Sequence, residues 1–343
     1  MRGLLGLVLL AAAAWSSYWI IGARGAEAGF AAWFEERRGE GWQADYADMG
    51  VRGFPNRFDA TFTDVSLADP GTGLSWEAPF FQLLALSYRP NHVIAIWPGE
   101  QRVTTPEDKF TLTTEDMRAS LVLEANTGLT LDRATLAATG LSISPEAGPG
   151  NGPDAGGAPL AAQALTLAAD RVPADADAQY HLGLRAEGVA PAAAWLERVD
   201  PRGALPKTLE SVTADFTVVF DRPWDRRAIE VVRPQPREIK LKLAEARWGQ
   251  LSLQAAGAVR VDASGQPEGS ITIKAQNWRE ILQLARSSGA ISESFARPLE
   301  NALGLMAGLA GNPATLDIPL DLRGGRVWLG PVPIGPAPVL RLR

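Results

Sequence analysis

The 343-residue sequence contains no cysteine, which excludes disulfides, thiolate metal sites and a thiol nucleophile. Histidine is nearly as scarce. His92 and His181, 89 positions apart, are the two present, so imidazole-based metal or triad chemistry has almost nothing to draw on. Positive charge is also in deficit. With 33 basic against 39 acidic side chains the net charge is -6 and the pI near 5.2, which removes the basic footprint that phosphate backbones need and argues against nucleic acid as a partner. There is no Gly-x-Ser-x-Gly elbow, phosphate loop, His-Glu-x-x-His helix or glycine-rich dinucleotide turn. Gly148-Pro-Gly-Asn-Gly152 is rich in glycine, but its proline and the lack of a following helix make it a loop. No reaction, cofactor or metal is therefore indicated, and the expectation is a protein that is not an enzyme.

Two local features could carry chemistry. His92 follows Arg89-Pro-Asn in a turn, where a structural hydrogen bond is the reading favoured over acid-base work. Asp175 and Asp177 lack the further oxygen ligands of a calcium loop and read as a solvated turn. Carboxylate pairs for glycoside cleavage need only two residues brought together by the fold, so 39 acidic residues say nothing about them.

What the sequence does contain begins at its amino terminus. Gly3 to Ala23 is 21 residues without a charge, which at 1.5 Å per residue matches the hydrocarbon thickness of a bilayer. Trp15, Tyr18 and Trp19 lie toward its carboxyl end and Arg24 marks the water boundary, as in a membrane helix. A cleaved signal peptide is the rival, with Ala11 to Ala14 as small residues, yet Trp15, Tyr18, Trp19 and Ile20 carry the run past a tidy cleavage site. Basic residues on the two sides do not settle the orientation. A short tail before a large, cysteine-free, strand-rich body favours a single-pass inner-membrane protein with its bulk in the periplasm.

Length alone is enough for about two domains. A composition of 46% hydrophobic and 21% charged residues excludes both a wholly disordered chain and a multi-span membrane protein. The expected organisation is an anchor over 1–25, a juxtamembrane helix over 26–42 and a β-rich body over 43–343. The helix rests on Phe30, Trp33 and Phe34 at helical spacing, with packing against the body favoured over lying on lipid. In the body, period-two alternation dominates. Val212, Ala214, Phe216, Val218 and Phe220 share one face; Ile239, Leu241 and Leu243 another; Leu251, Leu253, Ala255, Gly257, Val259 and Val261 a third; Ile271, Ile273 and Ala275 a fourth. Short alternating segments at Phe58–Phe62, Phe110–Leu112, Leu121–Leu123, Leu129–Leu131, Leu141–Ile143, Leu165–Leu167 and Leu182–Leu184 repeat the pattern. The turn formers Asp262 to Gly269 predict a hairpin, and Gly324-Gly325 another. Pro145 to Pro159, with four prolines and five glycines, reads as a flexible loop without function (145–159), and 277–309 as a helical insert with Gly289 between two helices.

The predicted fold is mainly β: one extended, curved antiparallel sheet, a groove or open barrel, with the helical pair over one end. Tryptophan is conspicuous at 11 residues, either core packing or the walls of an apolar channel.

Gly53-Phe-Pro-Asn-Arg-Phe58, the run Ala78 to Pro98 and the ending Val327 to Gly335 resemble a family of alphaproteobacterial proteins known as domain of unknown function 2125, across nearly the whole chain. That resemblance implies no activity and transfers no residue roles. A looser likeness is to AsmA-type envelope proteins, which implies a membrane anchor followed by a long antiparallel sheet curled into a groove, and an association with lipid movement and envelope upkeep. The candidate groove lining is Phe216, Val218, Leu241, Leu243, Leu253, Val259, Ile271 and Ile273. Phospholipid or another hydrophobic ligand is the expected occupant, in envelope maintenance; a non-catalytic structural or interaction protein that meets envelope proteins is the alternative.

Overall fold

The computed structural model describes residues 1–343 except 147–158, 174–177, 202, 204, 288, 290, 292, 310–313 and 343. Most of the loop expected over 145–159, and both Asp175 and Asp177, lie outside the described residues.

Helix α1 runs unbroken over Arg2–Gly39, so the anchor and the juxtamembrane helix read separately from the sequence are one rod. Nothing between Ala23 and Ala26 stops it: there is no proline, and the intervening residues continue the backbone ladder. Its end is built by a Schellman closure, in which Trp42 N–H donates to Arg37 O (3.0 Å) and Gly41 N–H to Arg38 O (2.9 Å). Gly41 supplies the positive φ of 92° that this closure requires. The apolar amino-terminal part of α1 is long enough to cross a membrane, and its first turns, through Leu10, are exposed.

Eighteen antiparallel strands form one sheet among the described residues. They are β1 (Gln43–Asp45), β2 (Asp48–Arg52), β3 (Arg57–Asp69), β4 (Leu74–Leu86), β5 (Arg89–Ile96), β6 (Glu100–Thr104), β7 (Lys109–Thr113), β8 (Asp116–Leu123), β9 (Leu131–Pro145), β10 (Leu160–Arg171) and β11 (Gln179–Val189), then β12 (Leu209–Phe220), β13 (Pro236–Trp248), β14 (Leu251–Val261), β15 (Pro267–Gln276), β16 (Thr315–Arg323), β17 (Arg326–Leu329) and β18 (Val332–Pro336). Most pair with their chain neighbours. There are two exceptions: β1 and β2 both pair with β3, along different parts of it, and the far edge of β4 takes β5 along one part and β6 along another; β5 continues to β8, β6 to β7, and both lines rejoin at β9. The sheet is thus a meander without parallel crossovers, as short punctuated strands require.

Such a sheet has one apolar face to hide, and its coverings lie at its ends. At one side α1 packs Phe34 and Ala23 against Ala44, Val51, Ala60, Phe62 and Val65. At the other, α4 (Trp278–Ser287) and α5 (Glu293–Leu309) lay Trp278, Leu282, Leu303 and Ala307 on Ala275 and Leu316. Two short helices were not anticipated. One, α2 (Ala193–Val199), seats Val199 against Trp248 and Leu251; the other, α3 (Arg226–Glu230), begins where the Asp225 side chain accepts from Ala228 N–H. Leu129, expected in a strand, instead precedes β9 with a φ of 50°.

A candidate apolar groove

Strand register turns the alternation into two rows across the sheet. One runs Leu83, Ala95, Ala119, Leu136, Leu167, Leu184, Ala214, from β4 to β12, each residue directly opposite the next. The adjacent row runs Ala85, Val93, Leu121, Ala134, Ala169, Leu182, Phe216 over the same strands. Both continue into β16 through Ala244, Ala255, Ile273 and Ile318, and through Leu241, Gly257, Ile271 and Leu320. No charged side chain occupies either row.

Side chains from seven neighbouring strands, Leu83 through Phe216, line a single cavity of about 590 Å³, together with Trp97. Six strand steps would spread these residues over roughly 30 Å on a flat sheet, so their convergence on one cavity reports strong curvature. A second cavity, about 760 Å³, lies between the carboxyl half of α1 (Ala26, Phe30, Trp33) and Phe62, Leu67, Trp76 and Phe81, with Leu129 and Arg226 at its margin. Leu83 borders both, so apolar wall continues from the helix to β12. Both volumes fall in the range of about 300–1,000 Å³ typical of small-molecule sites.

The family model for an uncharacterized protein conserved in bacteria, DUF2125, matches residues 19–338. The chain belongs to this family. No curated protein and no solved structure matches it.

In this DUF2125 chain the eight candidate lining residues are divided by the fold. Phe216 lines the cavity of about 590 Å³. Leu241, Ile271 and Ile273 are half-buried further along the same face. Val218 and Val259 are buried in local clusters at one end of the sheet, the first with Tyr180 and Phe220, the second with Leu322 and Ala337. Leu253 lies on the same face, opposite Ala246 and Ala275, and is 39% exposed. Leu243 is a correction: it sits opposite Asp215, on the outer face. A β-bulge is the reason, because Leu241 pairs with Phe216 and the extra residue Lys242 shifts everything after it by one.

Most of the cavity wall was not singled out from the sequence. Leu121, Leu167, Leu182 and Leu184 were read as strand residues, but only register shows that they share one surface with Leu83 and Leu136. Many are alanines, whose small side chains leave the space. The tryptophans serve both roles considered: Trp33, Trp76 and Trp97 face the cavities, whereas Trp248 and Trp278 are buried in the cores under α2 and α4.

Around β11 to β13 the outer face carries a polar cluster. Lys242 Nζ and His181 Nε2 lie 3.0 and 2.7 Å from the Asp215 carboxylate, and hydrogen bonding to Lys242 first, then His181, holds that carboxyl below its ordinary range. His92 Nε2 meets Ser120 Oγ at 2.9 Å. Among the described residues no cluster of three or more His, Asp or Glu could hold a metal ion.

Proposed function

We propose that this protein is a single-pass inner-membrane protein whose periplasmic sheet holds an apolar ligand, a phospholipid acyl chain, in the groove between α1 and β12. The observation that carries this reading is the charge-free double row from Leu83 to Phe216, whose cavity shares Leu83 with the one beside α1. Those walls begin at Ala26, immediately past the apolar run, where a chain leaving the bilayer would enter. The looser resemblance to AsmA-type proteins supports the same reading at the level of fold. In it the protein binds and does not catalyse, and it serves envelope maintenance.

Native mass spectrometry of the full chain, extracted from membranes in mild detergent, tests this. The expected result is a co-purifying adduct of phospholipid mass, restored when phospholipid is added to stripped protein. Repeated recovery without lipid, and no mass change on addition, would overturn it. A reporter active only outside the cytosol, fused behind Arg343, tests the compartment; silence from it with activity from a cytosolic reporter would place the body on the other side.

A second reading has its own observation. Among the described residues strand β18 pairs with β17 alone, and it exposes Val332 and Ile334. An envelope protein adding a strand there would make the chain an interaction module.

A further inference from the structure

The upper part of α1 is not separate from the body. Trp15 Nε1 donates to Pro55 O (3.0 Å), Tyr18 Oη to Ser87 O (2.6 Å) and Trp19 Nε1 to Arg57 O (2.7 Å). These carbonyls belong to the β2–β3 turn, the first residue of β3 and the β4–β5 turn, and the two turns are also tied together by Ser87 N–H donating to Asn56 O. Phe54 packs edge-on to Trp19 at 5.4 Å, and Gly22 leaves room for Phe58, whose ring would lie 2.6 Å from a Cβ there.

Length decides where this junction must sit if α1 spans a membrane. From Arg2 to Trp15 the helix rises only about 20 Å, too little for a hydrocarbon layer of about 30 Å. The span therefore needs residues beyond Trp15, and the turns bonded to Trp15 and Tyr18 are carried below the level of Arg24. Backbone at that depth is tolerated only when its polar groups are satisfied within the protein. Ser87 meets that condition, fully buried with N–H and C=O bonded. The turns also present apolar side chains outward: Phe54, Leu86 and Tyr88 are 56%, 37% and 60% exposed. Arg52, Arg57 and Arg89 flank them, all exposed, with Arg57 shared with Asp59 at 2.7 Å.

We propose that the turn tips at 53–57 and 86–89 form a wedge that dips into the lipid headgroup layer beside α1. Phe54, Leu86 and Tyr88 enter the acyl boundary, and the arginines meet the phosphates of anionic lipids. The inference rests on the membrane-anchor reading and adds a second, body-borne lipid contact. It holds the mouth of the groove at the bilayer surface.

The absence of native cysteine makes the test direct. Single variants Phe54→Cys, Tyr88→Cys, Leu10→Cys and Thr72→Cys of the full chain carry an environment-sensitive fluorophore in nanodiscs containing phosphatidylcholine and phosphatidylglycerol. Leu10 reports the span, and Thr72 reports the far end of the β3–β4 hairpin. Labels at Phe54 and Tyr88 should be blue-shifted and quenched by shallow spin-labelled lipids, while the label at Thr72 is unaffected. Quenching at Leu10 with water-like signals at Phe54 and Tyr88 would overturn the wedge and leave the anchor standing. Water-like signals at all four would overturn both. Because labels at exposed tips can bias insertion, Arg52→Gln/Arg89→Gln is added to the Tyr88→Cys background. It should reduce the gain in quenching that phosphatidylglycerol gives over phosphatidylcholine alone; an unchanged gain would overturn the phosphate contact.

Discussion

Tyr180 shows how one polar atom can close an end of the sheet. Only 1% exposed, its hydroxyl donates to Leu131 O at 3.2 Å and accepts from Trp224 N–H at 3.3 Å, linking β9, β11 and the β12–β13 connection. Tyr180→Phe takes the hydroxyl partner from the part-buried Trp224 N–H and Leu131 carbonyl, and chemical denaturation should register a loss of about 1–3 kcal/mol. Burial, the largest cause, raises the Tyr180 phenol above its ordinary 10.0. A raised value means that the neutral form is favoured by folding, so this stability is present below pH 10 and is lost as pH rises through the folded value. Asp215 behaves in the opposite sense. Its carboxyl is lowered from 3.8, so its contribution is present above that value and is lost as pH falls through the folded one. The pair is solvent-exposed, so Asp215→Asn should cost under about 1 kcal/mol at neutral pH. The difference between parent and variant should vanish in acid, which a series of melting curves would show.

At the scale of elements, the bulge in β13 makes a sharp comparison. Leu241 and Leu243 are two apart and look equivalent in an alternating sequence, yet they face opposite sides of the sheet. Leu243→Lys places a charge on a surface already carrying Lys242 and Asp215, and its effect should stay within about 0.5 kcal/mol. Leu241→Lys puts the same charge into the apolar row and should cost several times more, about 2 kcal/mol or above. Equal effects in denaturant titrations would show that the bulge is misplaced. The junction of α1 with β3 is equally specific: Gly22→Leu drives a side chain into the Phe58 ring and should destabilise by about 1–3 kcal/mol, seen as a lower Tm and faster proteolysis of the helix from the body.

For the whole molecule the question is whether the groove is space for a ligand or slack in a packed interior. Ala134 and Ala169 face each other across β9 and β10 in the cavity wall. Ala134→Trp with Ala169→Trp should fill it, abolishing the lipid adduct in native mass spectrometry while the far-ultraviolet dichroism remains that of a β protein. Retention of the adduct would move the lipid elsewhere, and loss of the fold would mean that the space is needed for the curvature itself.

How much of this was legible beforehand follows from the range of the forces involved. Strand alternation, the turns at Asp262–Gly269 and Gly324-Gly325, the helical insert and the apolar amino-terminal run are local patterns, set by a period of two or 3.6 residues and by hydropathy, so the sequence alone determined a mainly β antiparallel body behind one long apolar helix. Partnership between strands distant in sequence is not local. Which apolar faces align is decided by register, and the extra residue Lys242 was enough to remove Leu243 from the surface that alternation assigned to it. The bonding of Trp15 and Tyr18 to turns some 40 and 69 residues away and the convergence of Leu83 with Phe216 on one cavity likewise depend on the curved sheet bringing its edges and ends together, and only the tertiary structure decided them.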